Sequence, residues 1–154
     1  MSDPVSPSRV QAFYQAFAKR DLAAVLEFLS DDVEWKFLGP VEVFPFCGNR
    51  RGKATVIEHF TRQTPLFSIR RTEPDELVID GNRAASFSKL TAVEKGSGRI
   101  ITYHCAHFVT FREDKVVALH AIADTFGMIE QLQGVEIRVG PPVVRERLCE
   151  WVRS

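Results

Sequence analysis

The sequence has no excess of charge of either sign and no long apolar run. Its 154 residues carry 20 basic and 20 acidic side chains, which balance to a formal net charge of zero. A neutral chain produces no general field that would attract nucleic acid or an anionic membrane surface. No apolar stretch approaches the roughly 18 residues of a membrane-spanning helix, and the opening run MSDPVSPSR lacks the apolar centre of a secretory signal. We therefore expect a cytoplasmic protein that binds neither nucleic acid nor a membrane.

Cysteine is also scarce, and its placement excludes a disulfide framework. The three cysteines, Cys47, Cys105 and Cys149, are odd in number and far apart, and no CxxC pair occurs. In a reduced compartment such isolated cysteines act as small core side chains. His104 and His107 are three residues apart, and on a strand such residues point to opposite faces, so they do not readily share one ion. The GxxxxGK[ST] phosphate loop is absent as well. The sequence therefore predicts no metal and no cofactor.

The first 65 residues predict three helices and one short strand. Ser6 and Pro7 have the residue types that start a helix, and the apolar side chains after them recur with helical spacing. Asp21 predicts the start of a second helix, and residues 53–64 predict a third. Residues 33–37 alternate between apolar and polar, which is typical of a strand. The loop that follows this strand is rich in aromatic residues, and we expect it to act as a lid over a pocket.

From residue 66 onward the apolar pattern changes to alternation. Short turns separate four predicted strands, near residues 67–80, 84–94, 99–111 and 116–126. Strands joined in this way form an antiparallel meander, and helices followed by strands indicate an α+β fold. A short helix near 127–133 would complete a single domain of residues 1–133. We expect the extension, residues 134–154, to pack on this domain or on a partner.

The third of these strands presents two faces, and both are largely apolar. One face holds Ile100, Thr102, His104, Ala106, Phe108 and Thr110. The other face holds Ile101, Tyr103, Cys105, His107, Val109 and Phe111. A sheet that is apolar on both sides is covered on both sides. We assign the face with His104 to the concave side. We expect the face with Tyr103 to lie outside and to contact a second copy of the chain in a homodimer.

Two segments resemble a known family. The run from Tyr14 through Asp21-Leu22 to Asp31-Asp32-Val33-Glu34-Trp35, and the hairpin from Tyr103 to Thr125, resemble the nuclear transport factor 2-like superfamily, in particular its SnoaL-like branch. The resemblance covers about residues 6–133. It implies a cone-shaped, curved and mainly antiparallel sheet with three N-terminal helices that enclose a deep pocket. Members include ketosteroid isomerases, polyketide cyclases, scytalone dehydratases, limonene epoxide hydrolases and non-catalytic binders, so the fold alone does not define the activity.

The catalytic residues of these relatives transfer only in part. The tyrosine and two aspartates of ketosteroid isomerases fall at Phe13, Phe37 and Ala106, so steroid isomerisation is not predicted. The Arg-x-Asp pair of limonene epoxide hydrolases reads His104-x-Ala106. Limonene epoxide hydrolases and SnoaL-like cyclases both have an acidic residue near the position of Asp124, and this acidic residue is present here. The resemblance therefore implies a role for Asp124.

Asp124 and His104 are the predicted catalytic residues. A carboxylate in an apolar strand is costly unless it is paired or protonated, and beside an imidazole it forms an acid–base dyad. Two plainer interpretations remain open: Asp124 as the N-cap of the following helix, and His104 as a core histidine bonded to a backbone carbonyl. Seven further residues are predicted to line the pocket: Tyr14, Trp35, Phe44, Phe46, Phe108, His120 and Ile122.

The functional hypothesis is a cofactor-independent isomerase, cyclase or dehydratase that acts on a hydrophobic carbonyl compound. In this hypothesis Asp124 moves a proton, His104 assists, and Tyr14 and Trp35 position the ligand. The alternative is a non-catalytic ligand-binding or dimeric interaction domain of the same fold. The pattern of residues leaves the substrate open.

Overall fold

The computed structural model describes residues 3–138 and 140, which form four helices and one six-stranded sheet. The helices are α1 (Pro7–Ala18), α2 (Leu22–Phe28), α3 (Lys53–Gln63) and α4 (Thr125–Gln133). The strands are β1 (Leu29–Leu38), β2 (Gly48–Arg51), β3 (Phe67–Asp80), β4 (Arg83–Glu94), β5 (Ile100–Arg112) and β6 (Lys115–Ala123). The predicted α+β fold is confirmed. The predicted packing of the extension, residues 134–154, lies mostly outside the described residues and stays a prediction.

Side-chain caps fix where three helices begin. The Ser6 hydroxyl accepts a hydrogen bond from the Arg9 backbone N–H at 3.2 Å, and Pro7 occupies the first helical position of α1. The Asp21 carboxylate accepts from Ala24 N–H at 3.1 Å at the start of α2. Asp124 does the same for α4, accepting from Gly127 N–H at 2.9 Å. Each cap satisfies a backbone donor that the first turn of a helix leaves unpaired.

The sheet is mixed, curved and unclosed, with the strand order β2-β1-β6-β5-β4-β3. All neighbouring pairs are antiparallel except β1 and β6, which are parallel. The predicted meander is therefore confirmed for β3 to β6, and β1 joins it beside the last strand. Curvature gives the sheet an inner face, against which α1, α2 and α3 pack the core, and an outer face. No helix among the described residues is long and apolar enough to cross a bilayer.

The assignment of the two faces of β5 was wrong. Tyr103, Cys105 and His107 are buried on the inner face, whereas His104 and Phe108 are exposed on the outer one. Alternation along a strand divides its residues into two sets but does not say which set the helices cover. Both sets are rich in apolar side chains here, so the pattern carried no signal for the choice.

Candidate functional site

A cavity of about 230 Å³ lies between α1 and the inner face of β3, β4 and β5. Its apolar wall comes from Phe17 on α1, Pro74 and Leu77 on β3, and Leu90 on β4. Polar groups are few and enter from different elements, which is the usual composition of a small-molecule site. The polar side chains that matter below are Tyr14 on α1, Arg20 in the turn between α1 and α2, Ser86 on β4 and His107 on β5.

Two hydroxyl groups at this cavity have no partner except each other. The Tyr14 hydroxyl and Ser86 Oγ are fully buried and lie close together, but they are not well oriented for a hydrogen bond, and neither bonds to any other group among the described residues. A buried polar group without a partner costs about 1–3 kcal/mol, and native proteins rarely leave one unexplained. Burial raises the pKa of Tyr14 to about 12, although the neighbouring Ser86 hydroxyl acts in the opposite direction. Tyr14 is therefore a protonated donor over the whole physiological range.

His107 lies beside these hydroxyls in an aromatic setting. Its ring stacks on Tyr14, with 6.3 Å between ring centroids and 17° between planes, and meets the edge of Phe17 at 4.9 Å. Its Nε2 lies 3.5 Å from Cys105 Sγ. Burial, reinforced by the charge of Arg20, lowers the pKa of His107 to about 4. The imidazole is thus neutral at physiological pH and has one nitrogen lone pair that can accept a proton.

Cys105 does not form a nucleophilic pair with His107. Burial raises the pKa of the Cys105 thiol to about 12. A thiolate is the reactive form of cysteine, and a neutral imidazole with a lowered pKa does not generate one. Within residues 3–138 and 140, no group of three or more His, Cys, Asp or Glu side chains is placed to hold a metal ion.

The structure does not place the predicted pair, His104 and Asp124, in the cavity. His104 lies on the outer face, where its ring stacks on Phe87 with 5.0 Å between centroids and its Nε2 lies 3.8 Å from the Asp75 carboxylate. Asp124 is exposed, and its carboxylate caps α4. The Asp124 N–H donates to the His104 carbonyl at 3.1 Å, so the residues are neighbours, but neither lines the cavity. Their catalytic role stays a prediction, but the structure does not bring the two side chains together in the cavity, as that role assumed.

Of the seven predicted lining residues, Tyr14 is the one that reaches the cavity. Trp35, Phe44 and Phe46 are each 1% exposed and pack in the core. Phe44 and Phe46 contact each other and Phe67, so the aromatic loop is part of the core instead of a lid. The remaining three lie on the outer face, because they share the reversed assignment: Phe108, His120 and Ile122.

Ser86, His107 and Arg20 are the site residues that the sequence analysis missed. His107 would have been found by assigning the strand faces the other way round. Ser86 and Ser88 are the two polar positions on the inner face of β4, and serines on an otherwise apolar face are easily taken for tolerated core positions. Arg20 follows the last turn of α1, where a basic residue ordinarily suggests a solvated helix end. No local pattern indicated that its side chain turns inward.

The architecture and the cavity define an NTF2-like α+β protein. A family model described as a SnoaL-like domain matches residues 10–119. The chain therefore belongs to the SnoaL-like family of the NTF2-like superfamily, as the resemblance implied. No curated protein sequence matches the chain.

Solved structures of similar fold come from several bacteria. A protein from Rhodopseudomonas palustris, named as a candidate isomerase, is 28% identical, with 81% of this chain and 93% of that chain covered and a TM-score of 0.72. An NTF2-like protein of unknown function from Burkholderia pseudomallei is 26% identical, with 80% and 94% covered and a TM-score of 0.73. A candidate polyketide cyclase from Xanthomonas campestris is 22% identical, with 81% and 94% covered and a TM-score of 0.64, and shows the fold alone.

Proposed function

We propose that the chain binds a small hydrophobic carbonyl compound in the inner cavity and transfers a proton next to the carbonyl group without a cofactor. The reaction class would be isomerisation, cyclisation or dehydration. The observation that supports this proposal is the pair of buried hydroxyls of Tyr14 and Ser86, which have no well-oriented partner, beside the neutral imidazole of His107. A carbonyl oxygen accepts the hydrogen bonds that these donors lack, and a neutral imidazole can accept a proton.

The proposed chemistry has two proton transfers that balance. Tyr14 and Ser86 donate hydrogen bonds to the carbonyl oxygen, which stabilises negative charge as it develops there. His107 removes a proton from the adjacent carbon, and the electron pair of that C–H bond forms the enolate. The imidazolium then returns the proton, either to the far carbon of a C=C bond that is conjugated with the enolate, which completes an isomerisation, or to a hydroxyl group on the next carbon as its C–O bond breaks and a C=C bond forms, which completes a dehydration. His107 ends neutral in both cases.

The cavity limits the size of the substrate. A dry cavity of roughly 150 Å³ in another protein holds benzene. At about 230 Å³, this cavity has room for one aromatic or alicyclic ring with a few substituents. The name of the Rhodopseudomonas palustris protein favours the isomerase class among the three.

Deuterium exchange tests the proposal without knowledge of the natural substrate. The probe is 1-indanone, a bicyclic ketone with acidic protons next to its carbonyl, incubated with the protein in D₂O and followed by NMR. We expect exchange above the buffer rate, and we expect His107→Gln to reduce the enzymatic rate by about 100-fold or more, in line with the usual contribution of a general base. His104→Gln is the matched control, since it changes the same residue type on the same strand but on the outer face, and it should leave the rate unchanged.

Exchange that is equal in the two variants would remove His107 from the proposed role. Binding of the ketone without any exchange would favour the alternative, a non-catalytic ligand-binding protein. A non-catalytic binding protein would use the Tyr14 and Ser86 hydroxyls but would not need the neutral imidazole. Tyr14→Phe would therefore weaken binding under both hypotheses.

A second proposal concerns the outer face, which is exposed and apolar. The side chains of Phe87, Ile100, Phe108 and Ile122 are 40–70% exposed there. These residues replace the contact set that the sequence predicted, since Tyr103, Cys105, His107, Val109 and Phe111 lie on the inner face. We propose that a second copy of the chain covers this outer face in a homodimer. Exposed apolar patches of this kind mark association surfaces.

Light scattering after size-exclusion chromatography tests the homodimer. We expect a dimer at micromolar concentration for the parent protein and a monomer for Phe108→Glu, with the far-UV circular dichroism spectrum unchanged. Ile57→Glu is the control, since it also places a charge on an exposed apolar side chain, but on α3 and not on the outer face of the sheet. A parent protein that is monomeric over the whole concentration range would contradict this proposal and leave the cavity proposal intact.

A further inference from the structure

Arg20 is a positively charged residue at the wall of the cavity. It lies in the turn between α1 and α2 and lines the cavity together with Tyr14 and His107. The turn is fixed by two backbone hydrogen bonds of 3.1 Å, from Arg20 N–H to Phe17 O and from Asp21 N–H to Ala16 O. Burial lowers the pKa of the guanidinium, while Tyr103 and Cys105 oppose this. Arginine nevertheless remains charged in proteins.

No carboxylate neutralises this charge within the described part of the chain. No Asp or Glu oxygen of residues 3–138 and 140 lies within 4.0 Å of the Arg20 guanidinium. Glu76 lines the same cavity from β3 but forms no ion pair with Arg20. The titratable neighbours of Arg20 are His107, His59, Tyr103 and Cys105, all of which are neutral at physiological pH because burial shifts their pKa values in that direction.

The contacts that Arg20 does make leave part of its hydrogen-bonding capacity unused. Its Nη2 donates to Gln63 Oε1, and its guanidinium lies over the ring of Phe60, 4.9 Å from the centroid, and near that of Phe17, 5.7 Å away. These contacts offset some of the cost of removing the charge from water. A guanidinium has five N–H donors in a planar fork, which suits two parallel hydrogen bonds to a carboxylate. Arg20 is partly buried, and a partly buried charge without a counter-ion still carries a desolvation cost, which binding an anion would reduce.

We infer that the ligand of the inner cavity carries a carboxylate in addition to its carbonyl group, and that Arg20 binds this carboxylate. The inference rests on the function proposed above and names its substrate class: a small oxo acid with a hydrophobic body. The apolar wall of Phe17, Leu77 and Leu90 favours an organic acid over an inorganic anion. Arg20 would position the substrate so that its carbonyl oxygen meets Tyr14 and Ser86.

The electrostatics of the site agree with this assignment. In the unliganded protein, the charge of Arg20 contributes to the low pKa of His107. A bound carboxylate would offset that contribution and make the imidazole a stronger base when the substrate is present. The anion would therefore serve both recognition and the proposed proton transfer.

Matched neutral and anionic probes test the inference. Benzoate and benzamide have nearly the same shape and differ in charge, and isothermal titration calorimetry at neutral pH gives the affinity of each. We expect the parent protein to bind benzoate at least about tenfold more tightly than benzamide, because a charge-assisted pair replaces neutral hydrogen bonds. Arg20→Met should reduce benzoate affinity by about tenfold or more and leave benzamide affinity within about twofold. Arg62→Met is the control, since Arg62 is half-exposed on α3 and pairs with Glu58.

Each outcome decides the inference. A preference for benzoate that Arg20→Met abolishes and Arg62→Met retains would support it. Equal affinity of the parent protein for the two probes, or no binding of either, would overturn it, and the parent comparison holds even if Arg20→Met fails to fold. Equal affinity would still leave the proposed proton transfer standing, because that reaction is tested separately by exchange from the uncharged ketone.

Discussion

The two faces of β5 carry similar residues in very different surroundings. Phe111 on the inner face is 1% exposed and meets Phe13 edge-on at 6.2 Å, whereas Phe108 on the outer face is 56% exposed. His107 is buried against Tyr14, whereas His104 stacks on Phe87 at the surface. The difference shows that residue type and alternation do not determine a side chain's role on this sheet. The role of a side chain depends instead on whether α1, α2 and α3 cover its face, because these helices remove one face from water and create the cavity there.

The largest expected effect on stability is the difference between truncating Phe111 and truncating Phe108. Phe111→Ala should lower the free energy of unfolding by about 3–5 kcal/mol, because it removes a buried ring and leaves a cavity. Phe108→Ala should cost less than about 1 kcal/mol in the monomer, because the ring is more than half exposed. Urea denaturation of both variants, at a concentration where the protein is monomeric, checks the comparison. Similar losses for the two would contradict the assignment of faces.

The second largest effect is expected on acidification, which should distinguish the buried inner histidines from the exposed outer one. Burial lowers the pKa values of His107 and His59 to about 4, from an ordinary value of 6.5. Between these values the unfolded chain binds more protons than the folded one, so the free energy of unfolding falls as the pH falls. Each histidine lowers the free energy of unfolding by about 3 kcal/mol on acidification. This loss is absent above pH 6.5 and complete near pH 4.

Denaturation titrations at several pH values check this prediction. His107→Gln should reduce the loss between neutral pH and pH 4 by about 3 kcal/mol relative to the parent protein. His104→Gln, at the surface of the same strand, should retain the full loss. A parent protein whose stability is constant over this window would show that neither inner histidine is buried in the neutral form.

Removal of the Tyr14 hydroxyl should have different effects on stability and binding. Tyr14→Phe deletes a buried group whose polar neighbour, Ser86, is not well oriented towards it, so we expect the free energy of unfolding to stay the same or to rise by up to about 1 kcal/mol. The same change should weaken binding of 1-indanone by about tenfold, the equivalent of one hydrogen bond. Thermal unfolding and calorimetric titration measure the two effects. A loss of stability with unchanged affinity would mean that the hydroxyl serves the fold and not a ligand.

The smallest expected effect concerns Asp124, which lies outside the cavity. Asp124→Ala should cost about 1 kcal/mol, because it removes the N-cap of α4, and Asp124→Asn should cost less, because asparagine also caps helices. Neither variant should change the rate of deuterium exchange from 1-indanone. A large loss of exchange in both variants would restore the catalytic role that the resemblance to SnoaL-like cyclases implied.

Most of the fold could be predicted from the sequence, because its signals are local. Ser6-Pro7 and Asp21 specify helix starts through caps, and alternation after residue 66 specifies the strands. The resemblance to the NTF2-like superfamily supplied the architecture. The parallel pairing of β1 with β6 joins residues far apart in sequence, and no local pattern encodes such a contact.

The site was predicted only in part, because it depends on a global choice. Assigning the wrong face of β5 to the interior moved His104 and Phe108 into the expected pocket, together with the β6 residues of the same face, His120 and Ile122, and it moved His107 out. Tyr14 was found because a helical stripe has one apolar side, and the core must lie there. Arg20 needed the structure, because the direction of a long side chain after a helix end depends on what surrounds it.

The central claim is that the inner cavity, bounded by Tyr14, Ser86 and His107, is the ligand site. A crystal structure of the protein soaked with 1-indanone tests it most directly. We predict the ketone in the cavity, with its oxygen at about 2.7 Å from the Tyr14 hydroxyl and its reactive carbon facing His107. A ketone bound on the outer face beside Phe108, or a cavity that excludes the ketone, would contradict the claim.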